Sequence, residues 1–237
     1  MVPSEFVTFG VEHGVSAALV LGSAVALAVA VRRSGSERLD RAVRWTLAAA
    51  CVAYEAGYVG WRAQSGDWPL VEVLPLHLCD LSMLLAPVVL LTGRRYAFEL
   101  LYFWGIGGAL QSIATPTVLS GFPSAFCLVF FLGHALIIAS ALYAVVVMRM
   151  RPVPRSLVRV WLVTVTYAAI ILPVNLALGT NFLFIARKPI TPSLLDWLGP
   201  WPWYLLSLQP VVVVVMLMCY APFWVSDRRR RHAGGRA

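Results

Sequence analysis

Cys79 and His134 are a pair whose types could perform covalent chemistry together; each sits in an apolar stretch, LPLHLCD at 74–80 and FFLGHALI at 130–137. A thiol in apolar surroundings becomes nucleophilic only when an adjacent base takes its proton, and imidazole is suited to that task. Attack by such a thiol on an ester gives a thioester, and the same imidazole can then activate the hydroxyl that accepts the acyl group. The side-chain amides of Gln111, Asn175 and Asn181 are candidates for stabilising the oxyanion. Asp80, one helical turn from His77, could pair with it near the headgroups or support His134. A lone membrane cysteine also packs as a small hydrophobe, and a mid-helix histidine also serves as an interhelical hydrogen-bond donor. Cys51, Cys127 and Cys219 have no polar company in their own segments and read as packing residues. No CxxC pair suggests a metal, all four thiols are expected to be free, and no cofactor is expected.

These side chains need helices in lipid to hold them. Sixty percent of the 237 residues are hydrophobic and 13% are charged, against about a quarter charged in a soluble domain. Apolar runs bounded by charges, Pro and Gly predict seven transmembrane helices, near 11–31, 42–61, 76–91, 97–115, 124–148, 157–178 and 203–225. The fold class is therefore all-α: a polytopic seven-helix bundle as one domain over 1–226, followed by a basic tail at 227–237. The stretch before the first run has Glu5 and Glu12 but no Lys or Arg, unlike a cleavable signal peptide, so the first helix is expected to be retained.

Charge provides a separate test of this topology. Of the 19 basic residues, 16 fall beside alternate connections: Arg32, Arg33, Arg38, Arg41 and Arg44; Arg94 and Arg95; Arg149, Arg151, Arg155 and Arg159; Arg228 to Arg231 with Arg236. The excess of basic residues marks the cytoplasmic side, which puts the amino terminus outside and the carboxyl terminus in the cytoplasm of a multi-pass cell-membrane protein. The net charge of +8 is thus spent on orientation, and no nucleic acid partner is expected. The segment 178–203, rich in Pro and Trp, is expected to lie outside and could cover the mouth of the bundle.

On that topology Cys79 lies ~5 Å below the outer start of its helix and His134 roughly 15 Å below the start of its own. Glu55, Tyr58, Gln111 and Asn175 also fall in the outer half, while Glu99 lies near the inner end beside Arg94 and Arg95. Ionisable groups at such depth are functional candidates, and their one-sided clustering predicts a cavity open toward the outer leaflet. Gly105, Gly107 and Gly108 read as a site of close helix packing.

The stretches LPLHLCD, FELLYFWGIGGALQSIATP at 98–116, FFLGHALI, NLALGTNFLFIARKP at 175–189 and LLDWLGPWPWY at 194–204 resemble the YwaF-like family of integral membrane proteins. The animal branch of that family is a cysteine-dependent acyltransferase that moves a polyunsaturated acyl chain from a phospholipid to a lyso ether phospholipid. The resemblance implies that Cys79 is the nucleophile and His134 the general base, with Asn181, Gln111 and Glu99 orienting the histidine, binding the oxyanion or bracing the bundle. It implies membrane lipids as substrates; ether lipids and polyunsaturated chains do not transfer with it.

The sequence thus favours intramembrane acyl transfer between lipids. Hydrolysis of a lipid ester differs only in the nucleophile that attacks the thioester. A proton-coupled transporter using Glu55, His134 and Glu99, and a membrane protein that binds a ligand without chemistry, are the alternatives from other classes.

Overall fold

The computed structural model describes residues 5–66 and 69–234. Among the described residues the chain is all helical, without a β-strand. The order is α1 (Val11–Ser34), α2 (Glu37–Ser65), α3 (Leu78–Thr92), α4 (Arg95–Tyr102), a π-helical segment (Phe103–Gly108), α5 (Ala109–Ala114), α6 (Ala125–Val146), α7 (Pro154–Leu178) and α8 (Trp203–Gly234). Residues 95–114 are helical without a break, so α4, the π segment and α5 form one rod.

Local chemistry sets the helix ends. Ser36 caps α2 by accepting from Leu39 N at 3.3 Å, and Glu37 and Asp40 in the first turn face the positive end of the helix dipole. This is why α2 starts five residues before the apolar run does. Gly93 ends α3 in the left-handed region at φ 64, which favours glycine, with its N–H donating to Val89 O. At the other end of the chain, α8 runs on past the apolar stretch into the basic tail, through Arg228 and Arg229 to Gly234. Arginine is a good helix former, and cations suit the carboxyl end of a helix dipole. Residues 235–237, with Arg236, lie outside the described part.

Four helices are each long and apolar enough to cross a membrane: α1, α6, α7 and α8. The other three rods fall short individually for visible reasons. α2 carries Glu55 and Arg62 in its second half, α3 has only 15 residues, and the 95–114 rod contains Arg95 and Glu99. Apolar side chains cover much of the outer surface, including Leu19 and Val25 on α1, Leu128 and Leu132 on α6, Leu162 and Ile170 on α7, and Leu217 and Met218 on α8. Such a surface belongs in lipid, where every backbone polar group must be satisfied inside the helix.

α6 is the central helix. In its apolar window 44% of residues are buried, against 11% for α7, and it packs on α1, α3, α2 and the π segment. Small residues permit the approach: a Cβ on Gly105 would lie 2.9 Å from Ile137 Cγ2, and one on Gly133 would lie 2.6 Å from Tyr54 Cζ.

The basic connections gather at one end of the bundle and are tied together there. Arg32 donates to Val146 O, Tyr143 Oη donates to Asp40 Oδ1 at 2.6 Å, and Arg151 pairs with Asp227 at 2.8 Å. Glu99, wholly buried, accepts from Arg159 and from Arg95, the latter at 3.4 Å. A buried carboxylate without such partners would be costly. Replacing Glu99 with Gln is therefore expected to cost about 1–3 kcal/mol and to lower the apparent Tm in detergent, with Arg159→Gln adding little once the carboxylate has gone. A melting temperature that does not move in Glu99→Gln would contradict this role.

Candidate active site

Residues 69–77 descend to a short 3-10 turn (Leu70–Val73) and then start α3 at Leu78. The start is defined by Asp80, whose Oδ2 accepts from the backbone N–H of His77 at 2.9 Å. Cys79 is therefore the second residue of a helix, among first-turn N–H groups that have no intrahelical acceptor. Across from it, α6 presents His134, which is buried.

The two side chains meet: Cys79 Sγ lies 3.5 Å from His134 Nε2. The other ring nitrogen, Nδ1, is 2.7 Å from the carbonyl oxygen of Phe130, one turn earlier in the same helix. A carbonyl only accepts, so the proton of the neutral imidazole sits on Nδ1 and the lone pair of Nε2 faces the thiol. The Phe130 ring, with its centroid 4.3 Å from that of the imidazole, holds the imidazole's plane. Such an arrangement is the one proton transfer from a thiol to an imidazole would need, with the two groups adjacent and the lone pair on the facing nitrogen.

Two spaces of different character lie near the pair, and Cys79 lines the smaller. One is a small cleft of about 70 Å³ containing Cys79 and His134, with Tyr54, Glu55, Tyr58 and Asp80 around it. Glu55 and Asp80 are within electrostatic reach of each other and of Arg62, and Glu55 Oε1 is buried without a hydrogen-bond partner. The other is a cavity of about 300 Å³ between the 95–114 rod, α7, α8 and the 179–202 connection, and no Asp, Glu, Lys, Arg or His lines it. Phe130 borders both spaces. Ser112 lines the larger cavity and interacts with the Cys79 side chain.

The remaining sequence candidates take distinct places. Gln111 borders the larger cavity and donates to Thr115 Oγ1 at 3.2 Å. Asn175 spends both ends of its amide on the next connection: Nδ2 donates to Phe182 O at 2.9 Å, and Oδ1 accepts from Phe182 N and Thr180 Oγ1. Asn181 likewise donates to Arg187 O and accepts from Ala186 N and Arg187 N. These two amides brace the 179–202 connection, and Glu99 braces the opposite end of the bundle. Asp80 serves the backbone of His77, while His77 Nδ1 accepts from Leu183 N at 3.4 Å and its ring packs on Phe182 and Phe184. Cys51 and Cys127 do have polar neighbours, Ser140 and Glu12 each at 3.7 Å, supplied by other helices. All four cysteines are free, and no group of metal-binding side chains occurs among the described residues.

Sequence reasoning passed over Ser112, Tyr54 and the first-turn N–H groups of α3. The last of these had a signal, the Asp three positions after the residue that precedes the helix, a capping pattern. Ser112 and Tyr54 reach the site only through helix crossings and left none.

A helical bundle with an apolar surface and a thiol–imidazole contact inside it defines an integral membrane protein with a candidate nucleophile. The chain belongs to the TMEM164 family, a family of membrane proteins, which it matches over residues 8–220. An uncharacterized protein of Treponema pallidum (strain Nichols) is 30% identical over 157 residues, which covers 66% of this chain; the chain spans 65% of the length of that relative. No solved structure matches.

Asn175 provides a direct test of how the connection is held. Asn175→Ala removes three hydrogen bonds, about 2–3 kcal/mol at roughly 1 kcal/mol each, and is expected to speed limited proteolysis within 180–202 while cleavage elsewhere is unchanged. Equal cleavage rates in wild type and variant would show that the amide does not hold this segment.

Proposed function

We propose that this protein is a seven-span lipid acyltransferase of the cell membrane, with its amino terminus outside and its carboxyl terminus in the cytoplasm. The observation that carries the reading is the 3.5 Å approach of Cys79 Sγ to His134 Nε2, with Nδ1 committed to the Phe130 carbonyl. The uncharged cavity, lined by Leu78, Ser112 and Phe130 around the Cys79 position, supports it, because a fatty acyl chain needs an apolar space near the atom that carries it. The basic residues at alternate connections support the orientation. The family resemblance to YwaF-like proteins and to their cysteine-dependent acyltransferase branch points the same way.

The chemistry balances as two half-reactions. His134 Nε2 takes the Cys79 proton as sulfur attacks the carbonyl carbon of a donor lipid ester, and the tetrahedral oxyanion is met by the first-turn N–H groups of α3. Collapse breaks the ester C–O bond, the departing lysolipid alkoxide takes the proton from Nε2, and a thioester remains on Cys79. The hydroxyl of an acceptor lysolipid then gives its proton to Nε2 and attacks the thioester; the new ester leaves and the thiolate regains the proton.

A proton-coupled transporter draws support from one observation, the unpartnered Oε1 of Glu55. That reading also needs Glu99 as a proton carrier, and Glu99 is engaged by two arginines. Acyl transfer accounts for more of the site.

Treatment of the purified protein with a lipid-like electrophile, read by intact mass, tests the assignment. One adduct is expected on wild type, none on Cys79→Ser, and formation slowed by about 10²–10⁴-fold in His134→Ala. Equal labelling of all three proteins would remove the thiol–imidazole pair and favour transport, for which Glu55→Gln would then be the informative variant.

A further inference from the structure

The three glycines of the π segment do not do the same thing. Cβ atoms at Gly105 and Gly107 would come within 2.9 Å of Ile137 Cγ2 and 3.1 Å of Val215 Cγ1, so close helix packing favours a small residue at both positions. A Cβ at Gly108 would meet nothing within 4 Å. Its backbone is ordinary right-handed helix, with φ −76 and ψ −48, so no turn geometry calls for glycine either. Glycine inside a helix is otherwise destabilising relative to alanine. What surrounds Gly108 is the larger cavity, which it lines.

Its position on that lining is one helical turn from Ser112, the lining residue that reaches Cys79. Ser112, which interacts with Cys79, lies one turn further along the rod and donates to Gly108 O at 3.2 Å. Trp104, four residues before Gly108, lines the same cavity, its Nε1 donating to Thr164 Oγ1 at 2.8 Å. Ser112, Gly108 and Trp104 thus line one wall for roughly 12 Å, eight residues at 1.5 Å each, leading away from Cys79. Val211 and Val212 of α8 are on the cavity's lining as well.

We propose that Gly108 is a specificity-determining residue: the acyl chain carried on Cys79 passes over it into the cavity, and the missing side chain lets a long chain through. This rests on the reading of Cys79 as the acyl carrier. A large side chain at Gly108, or one projecting from α8 at Val211, shortens the space and shifts preference toward short acyl groups. Hydrophobic pockets discriminate modestly by single methylenes, but blocking the channel forfeits the burial of many.

The test uses p-nitrophenyl butyrate and p-nitrophenyl palmitate as acyl donors to the full-length protein in mixed micelles, with acyl-protein formation followed by intact mass. In that step sulfur forms the thioester bond and p-nitrophenol leaves with the proton. The ratio of palmitoyl to butyryl labelling rates is expected to fall at least about tenfold in Gly108→Phe and in Val211→Phe, and less in Gly108→Ala. A ratio unchanged from wild type in both Phe variants overturns the inference, including the case in which both rates slow equally, and leaves the Cys79 reading standing. Labelling of wild type that survives Cys79→Ser overturns that reading and the inference with it.

Discussion

A histidine inside a membrane helix must satisfy two ring nitrogens without water, and the rest of this site follows from how His134 does so. Its Nδ1–H donates a hydrogen bond to the Phe130 carbonyl, a group present in the helix whatever the neighbouring side chains are. That leaves Nε2 as a lone-pair acceptor aimed away from α6, and the group it meets is the Cys79 thiol. His13 shows the alternative outcome. It is also buried, but its Nε2 lies 2.7 Å from Ile113 O and its Nδ1 accepts from Phe9 N, so both nitrogens are spent on backbone. The two histidines differ in where the second nitrogen points.

The framework serves that one contact. α3 has to begin at Leu78 for Cys79 to stand opposite His134, and Asp80 fixes the start by accepting from the His77 N–H. The His77 ring in turn supports the 182–184 turn, which Asn175 and Tyr204 hold from other directions, Tyr204 Oη donating to Phe184 O at 2.6 Å. The π segment loosens the helical repeat where the rod passes the site. Its glycines allow close packing on two sides and open space on the third. The sulfur lines the small cleft, and the uncharged cavity shares Phe130 with that cleft.

Much of this was legible beforehand, and the omissions have physical causes. Hydropathy located every long helix, with α1 beginning at Val11 as expected, because apolar length is a local property. It missed the extensions of α2 and α8, since capping and arginine propensity act on polar residues that hydropathy discounts. Cys79 and His134 stood out by type, yet their contact depends on the crossing of α3 and α6, 55 positions apart. The amides of Asn175 and Asn181 were visible as polar groups at depth, but an amide's type does not reveal that nearby backbone will consume it. Gly108 looked like its two neighbours, and only the surrounding empty space separates them.

The most direct test of the account is whether Cys79 carries an acyl chain taken from a lipid. The protein would be reconstituted in nanodiscs with phospholipid bearing isotope-labelled acyl chains, quenched in acid and digested for mass spectrometry. The account predicts a labelled acyl group on the Cys79 peptide, released by hydroxylamine and absent from His134→Ala. No acylation, or acylation spread equally over Cys51, Cys79, Cys127 and Cys219, would contradict it.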